Sequence, residues 1–409
     1  MSVRGIAVTL TAASVAAGVL LSAAPAAHAA DTITVWADAA HAPVIEQLLP
    51  KGYAGVPVTV VTKDPGTVRA ELAAATAGNA PDIVWGDLAW TGELAAAQTI
   101  VPVTLTKKRA KKFGPNVLAG SAVGADRFGL PVQISNLALI TNTKLVPQQP
   151  TSFANLSSVA LQLKKDKKAK VPFALPQGQG ANPWSTFPLF SGVGGYLFGR
   201  ASAGGLDPAD IGLASKALRT NASLIDQWNA SGLLDSSLSP DAARTAFAKG
   251  KSAFYLAGPE DLAMLLGLKF VYRISAVPPI VKGQKAVPLL TVHGFMLTRF
   301  AAKHGVEEAA ADLVGKFLSK PRAQLALADA SGWFPANAGA QAKVTTGGGR
   351  IRAIGNAGVD GVPMPNIPQA GALWEPYGTA WGAATGGAAA TPAKAAFRLA
   401  QEAAVAAIG

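Results

Sequence analysis

From Asp31 onward the chain alternates apolar and polar residues. Residues 31–36 (DTITVW) repeat with a period of two, which predicts a half-buried strand. A polar loop, Asp38 to His41, follows, and a helix is predicted over 43–49, with Pro43 suited to its first turn. Residues 56–62 predict a second strand and 66–77 an alanine-rich helix. Residues 80–87 give a short apolar strand with polar residues at its end, and 88–98 a further helix. This strand–helix–strand order predicts a parallel α/β layer, whose ligand sites lie at the carboxyl ends of the strands. The loops bearing Asp38 and His41, and Asp87 and Trp90, lie at those ends.

Two later runs are longer than ordinary strands. Residues 129–140 (GLPVQISNLALI) carry Gln133, Ser135 and Asn136 at their centre, and 288–298 (PLLTVHGFMLT) carry His293-Gly294. Both read as strands crossing between two lobes, with a mostly helical region between them. That region holds a helix over 240–249, a strand over 252–256 and a helix entry at Gly258-Pro259-Glu260-Asp261. Two crossings make each lobe discontinuous. The expected division is 31–133 with 294–342 for the N-terminal lobe and 134–293 with 343–409 for the C-terminal lobe. A final helix is predicted over 392–408, capped by Thr391.

Composition changes this picture at three points. Residues 1–30 combine Arg4, an apolar run over 6–21 and Ala27-His28-Ala29, the pattern of a secretory signal peptide cleaved to leave Ala30 or Asp31. There is no cysteine among the 409 residues, which argues against disulfides, thiolate metal sites and a lipid-modified cysteine. The expected location is therefore secreted, in a periplasm or cell envelope, and not as a cysteine-anchored lipoprotein. The formal net charge is +12, concentrated in KKRAKK (107–112) and KKDKKAK (164–170). Neither run has interleaved aromatics, so solvated helix faces are expected rather than a nucleic-acid surface. Attraction to anionic envelope polymers is the remaining use of the charge.

The densest candidate chemistry is GVPMPNIPQAGALWEPYGTAW (361–381). Its prolines place a rigid loop before a helix, and helical spacing puts Trp374, Tyr377 and Trp381 on one face. Tyr377 and Trp381 suit the core, while Trp374 at the helix start can face a ligand. This block resembles the maltose/maltodextrin-binding proteins of ABC importers. Collinear matches extend the resemblance over nearly the whole chain after the leader: ITVWADA (33–39), NAPDIVWGDLAW (79–90), GLPVQISNLALITNTKLV (129–146), NPWSTFPLFSGVGGYLF (182–198) and AFAKGKSAFYLAGPED (246–261).

The resemblance implies an α/β, two-lobe periplasmic-binding-protein-like fold with hinge strands and a ligand cleft between the lobes. It implies an oligosaccharide ligand, permease subunits of an ABC importer as partners, a monomer, no cofactor and no metal. Carried over by position, Trp374 and Trp184 match stacking aromatics. Asn182 stands where the type member has an acid, and Asp87 and Trp90 fall in a hydroxyl-binding loop. Asp38 and His41 fall where polar contacts follow the first strand, Ser135 matches an acidic contact with Asn136 beside it, and Glu260 replaces a tryptophan. Flat aromatics cover the apolar faces of a hexose, and carboxylates and amides take its hydroxyls.

Each residue has an alternative use. Asp87 can cap the helix at Leu88, Glu260 can favour a helix dipole, and Trp184 can pack on the core. His293 reads as a satisfied buried histidine, and Trp36 and Trp85 as core. The expected function is a receptor for an α-glucoside such as maltose or maltodextrin. The alternatives are trehalose or another oligosaccharide, an envelope adhesion protein, and a carbohydrate-active enzyme built on Asp87 and Glu260. The last needs paired carboxylates at a set separation, which nothing local supports.

Overall fold

The computed structural model of the protein describes residues 32–177, 182–202 and 204–409; the expected leader and its cleavage site near Ala29-Ala30 lie outside them. Two sheets organise the chain. The larger contains β1 (Ile33–Ala37), β2 (Val58–Thr62), β3 (Ile83–Asp87), β4 (Ile100–Val101), β5 (Leu130–Ser135), β10 (Leu289–Thr298), β11 (Phe334–Pro335) and β12 (Val362–Pro363). The smaller contains β6 (Ala138–Asn142), β7 (Phe173–Ala174), β8 (Phe254–Ala257) and β9 (Tyr272–Ser275). The main order of the larger sheet is β11–β5–β10–β3–β1–β2, with β4 and β12 also pairing β10. The smaller runs β9–β6–β8–β7.

The helices that position the site are α1 (Ala42–Leu48), α2 (Val68–Ala73), α3 (Thr91–Ala96), α4 (Phe153–Lys165), α5 (Pro183–Gly192), α6 (Pro321–Ser331), α7 (Arg350–Ala357), α8 (Gly371–Ala384) and α9 (Ala393–Ile408). β1 lies parallel to both β2 and β3, as the opening pattern predicts, whereas β10 is antiparallel to β3 and β5. The sheet is therefore mixed. Its apolar residues form one core with Val35, Trp85, Val132 and Phe295. The second lobe has its own core, with Phe153, Phe173, Phe190, Phe254 and Trp381.

The run 129–140 is two strands. β5 belongs to the larger sheet and β6 to the smaller, so the chain passes from one sheet to the other at Asn136-Leu137. Asn136 is fully buried there, and its Nδ2 donates to the carbonyl of Ile354 on α7 at 2.8 Å. β10, by contrast, lies wholly in the larger sheet; its irregularity at His293-Gly294 is a register shift against β5 rather than a crossing. Sheet membership therefore changes at 136–137 and again ahead of Leu289. α7 spans both cores, with Ile351 in the first and Ile354 on the second-lobe sheet.

A third tie comes from the MPNIPQ loop. Met364 N–H donates to Leu290 O at 2.8 Å, and buried Asn366 donates to Ala122 O at 2.8 Å and to Thr91 Oγ1 at 3.2 Å. The Asn366 carbonyl lies so close to Gly92 that a Cβ there would sit 1.9 Å from it, so only glycine fits at that position of α3. Thr391 does not cap the last helix: the first N–H of α9, from Ala393, donates instead to Asp226 Oδ1 at 2.7 Å. No helix among the described residues is long and apolar enough to cross a membrane.

Candidate functional site

The strands of the first lobe place polar side chains in one row. In the register of the sheet, His293 on β10 lies beside Asp87 at the end of β3 and beside Gln133 on β5. Asp38 follows the end of β1 in the neighbouring position. Together with Lys63, Pro65, Val68, Trp85, Trp90, Ser331 and Trp333 they line a cavity of about 210 Å³. This is the carboxyl-end location that the strand pattern predicts.

The floor is interlocked. His41 Nδ1 lies 2.7 Å from Asp38 Oδ1 and its Nε2 lies 3.3 Å from Gln133 Oε1. Ser331 Oγ donates to the same Gln133 oxygen at 2.8 Å, and the Trp85 indole N–H donates to Asp38 Oδ2 at 3.0 Å. The His41 ring also lies over Trp85, with centroids 4.1 Å apart. Burial works to raise the Asp38 carboxyl, but the hydrogen bond and charge of His41, with backbone N–H groups of His41 and Ala40, hold it below its ordinary value.

Asp87 caps a turn and also faces the cavity. Its Oδ1 accepts from Ala89 N–H at 2.9 Å and so caps the turn at Leu88–Trp90, while the side chain also lines the cavity. Burial raises its carboxyl, opposed by the charge of His293 and by the Ala89 bond. Burial lowers His293, with Asp87 opposing. Trp90 reaches the cavity because Gly86 leaves room: a Cβ there would lie 2.3 Å from the Trp90 ring.

In the second lobe the candidates sit at helix starts. Asn182 is the N-cap of α5, its side chain accepting from Trp184 N–H at 3.0 Å. Trp184 and Trp374 are half-buried and pack against the same core. Glu260 follows β8 in the 3₁₀ turn Pro259–Asp261, its carboxylate folded back over Gly258. Its side chain reaches solvent yet is walled by neighbours; burial raises its carboxyl, with its own backbone N–H, Arg244 and the Trp184 indole among the opposing contacts. None of these four residues lines the first-lobe cavity.

The structure corrects several expectations. Ser135 is buried within the sheet, opposite Thr291, and Asn136 is buried with its Nδ2 bonded to Ile354 O while its Oδ1 makes no hydrogen bond; neither lines the cavity. Trp85 and His293 are not simply core, since both line it. Tyr377 and Trp381 are core as expected, bonded to Thr186 at 3.0 Å and Gln177 at 2.7 Å. Sequence reasoning missed Trp333, Ser331 and Lys63. The signal available for Trp333 was a tryptophan directly after a glycine at a helix end. A larger groove of about 530 Å³ runs between α8 and α9, but alanines dominate its lining and it holds no aromatic ring. Among the described residues no cluster of His, Asp and Glu is suited to a metal ion.

Comparison with known proteins places these features in context. Residues 49–347 match the family described as bacterial extracellular solute-binding protein. Two maltooligosaccharide ABC transporter solute-binding lipoproteins of Streptococcus pneumoniae strains are 25% and 26% identical to the chain, over 84% of it and 81% of each relative. A Staphylococcus aureus extracellular solute-binding protein solved with maltose superposes with a TM-score of 0.79 at 22% identity, covering 92% of this chain and 97% of that one. A cyclo/maltodextrin-binding protein solved with maltotetraose gives 0.77 at 22% identity, with the same coverage. These neighbours share the two-lobe α/β fold.

One expectation is overturned. The absence of cysteine argued for a protein that is not a lipoprotein, whereas the pneumococcal relatives are named lipoproteins. The match over 49–347 spans most of the described residues, and the chain belongs to the bacterial extracellular solute-binding protein family.

Proposed function

We propose that the chain is the sugar receptor of an ABC importer, taking an α-glucan such as maltose or maltodextrin into the cleft between its lobes. The observation that carries this reading is the first-lobe cavity at the strand ends, which combines tryptophan rings with a row of polar side chains, Asp38, Asp87, His293 and Gln133. Mostly apolar cavities with a few convergent polar groups suit a sugar ring and fix its orientation. The maltooligosaccharide relatives favour an α-glucan over trehalose.

In this reading Trp184 and Trp374 supply apolar plates from the second lobe, with Glu260 and Asn182 at its hydroxyl-binding rim. Asp38, Asp87, His41 and Trp90 act from the first lobe. Closure follows because the sugar gains contacts with both lobes only when they approach. The segments that absorb the motion are Asn136-Leu137, the chain ahead of Leu289 and the MPNIPQ loop, which also set the lobe boundaries. The protein acts as a monomer without cofactor, hands its ligand to permease subunits, binds no nucleic acid and catalyses no reaction on the sugar.

The test is calorimetric titration with glucose, maltose, maltotriose, maltotetraose, trehalose, cellobiose and a galacto-oligosaccharide, followed by long incubation of the bound sugar. Saturable heat with the maltose series and intact sugar at the end is the expected result. A preference for trehalose or a β-linked sugar overturns the ligand class, and cleavage overturns the receptor.

A further inference from the structure

The first-lobe cavity has a wall at each end of its polar floor. At one end stand Lys63 and Pro65, just beyond β2, with Val68 of α2. The floor then crosses β1, β3, β10 and β5, and at the far end stands Trp333, just before β11. The backbone holds Trp333 there. α6 stops at Gly332, which adopts a left-handed conformation with φ of 71°, open to glycine at little cost. Trp333 N–H then donates back to Ala328 O at 3.2 Å and lies 3.3 Å from Ser331 Oγ, and that hydroxyl is bonded to Gln133 in the floor.

The Trp333 ring lies over His293 with centroids 4.7 Å apart and an interplanar angle of 32°. The residue remains half-buried, so this packing leaves part of its surface to the cavity. Two magnitudes limit what the cavity takes. At about 210 Å³ it falls below the roughly 300–1,000 Å³ of sites that enclose drug-sized ligands, so it holds one ring rather than two. Its lysine is already engaged, with Glu71 at 2.6 Å and the face of Trp36 at 4.0 Å, so the lining favours a neutral ring over an anionic one.

We propose that Trp333, backed by His293, is the end wall of a subsite for the terminal neutral pyranose of the ligand, and that this wall sets the receptor's preference for chain length. The subsite rests on the receptor reading above. The terminal ring packs against Trp333 while its hydroxyls meet the row of Asp38, Asp87 and Gln133. Removing the wall opens the floor toward β11, so a longer glucan can advance by a ring and recover contacts that a disaccharide cannot.

The experiment compares the native protein with Trp333→Ala, Trp333→Phe and His293→Gln by calorimetry against maltose, maltotriose and maltotetraose, with thermal melts as the check on folding. Trp333→Ala is expected to weaken maltose about tenfold or more, the scale of losing a buried aromatic anchor. Maltotetraose is expected to lose markedly less, so that the affinity ratio shifts toward the longer sugar. Trp333→Phe should recover most of the native ratio, and His293→Gln should lie between. If Trp333→Ala fails to fold, the ratios of the other two variants decide. An equal fall for all three sugars, or unchanged affinities, overturns the wall. A native protein silent to all three sugars overturns the receptor reading itself, and the subsite with it.

Discussion

The two halves of the candidate site are built differently. The first-lobe half stands on adjacent strands, with its polar atoms tied to one another through Asp38, His41, Gln133 and Ser331. The second-lobe half stands on helix starts, with Trp184 in the first turn of α5, Trp374 in that of α8 and Glu260 in a 3₁₀ turn. A sheet with interlocked side chains fixes hydrogen-bond directions before a ligand arrives, so orientation costs little on binding. Half-buried tryptophans at helix starts offer apolar area that becomes fully buried only in a complex. In the receptor reading proposed above, this difference gives the first lobe mainly orientation and the second mainly apolar burial.

The sharpest break is Trp374→Ala. If the second lobe supplies the apolar burial, this change weakens maltose-series binding by about 2 kcal/mol or more, roughly thirtyfold in Kd, read by calorimetry. The gain in melting temperature on adding sugar should shrink in step. Unaltered affinity would return Trp374 to the core, leaving Trp184 as the second lobe's aromatic plate.

Asp38→Ala should act on stability as well as binding. It leaves the buried Trp85 and His41 donors without their acceptor, and a lost charge-assisted bond of this kind costs about 2 kcal/mol in a denaturant titration. Because the folded carboxyl lies below its ordinary value of 3.8, its contribution is fully present above that pH and is lost as pH falls through the lower folded value. The gap between native and variant midpoints should therefore close only in strong acid. A gap that closed near neutrality would mean that Asp38 is not the acceptor holding the floor together.

This asymmetry also explains what was legible in the sequence. The opening strand–helix alternation located the carboxyl-end loops, so Asp38, His41, Asp87 and Trp90 were found from local pattern. The second-lobe residues came from block resemblance, because Trp184 opens a helix interrupted by Pro188 and Glu260 stands in a 3₁₀ turn, neither of which periodicity marks. Trp333 was missed because it lies 200 residues from Gln133 in sequence and meets the site only through the order β11–β5–β10. Asn136 misled for the opposite reason. Beside Ser135 in a strand-like run it reads as a site residue, but the run breaks there and its amide serves the hinge. Trp85 shows a further limit, since burial in a strand does not exclude lining a cavity from below.

Asn366→Ala probes the connection between the halves. Its amide ties the MPNIPQ loop to α3 and to Ala122, so the loss is about 1 kcal/mol of local stability rather than of direct ligand contact. Hydrogen exchange should quicken at the backbone around Thr91 and Ala122, and the sugar-dependent change in small-angle scattering should widen. Unchanged exchange at both places would mean that the prolines alone hold the loop.

The smallest effect is the most diagnostic of the second lobe's surroundings. Glu260 has its carboxyl raised by burial, so its charged form is disfavoured in the folded chain. The sign is opposite to that of Asp38: stability falls as pH rises from the ordinary value of 4.5 through the higher folded value, and stays lower above it. Glu260→Gln keeps the shape and removes the charge. The variant should therefore melt slightly above the native protein near neutrality, with the advantage vanishing below about pH 4.5. A difference independent of pH would mean that the carboxylate is freely hydrated; the rim beside Trp184 would then be open water rather than a walled half-site, and the contrast with the interlocked first lobe would be greater still.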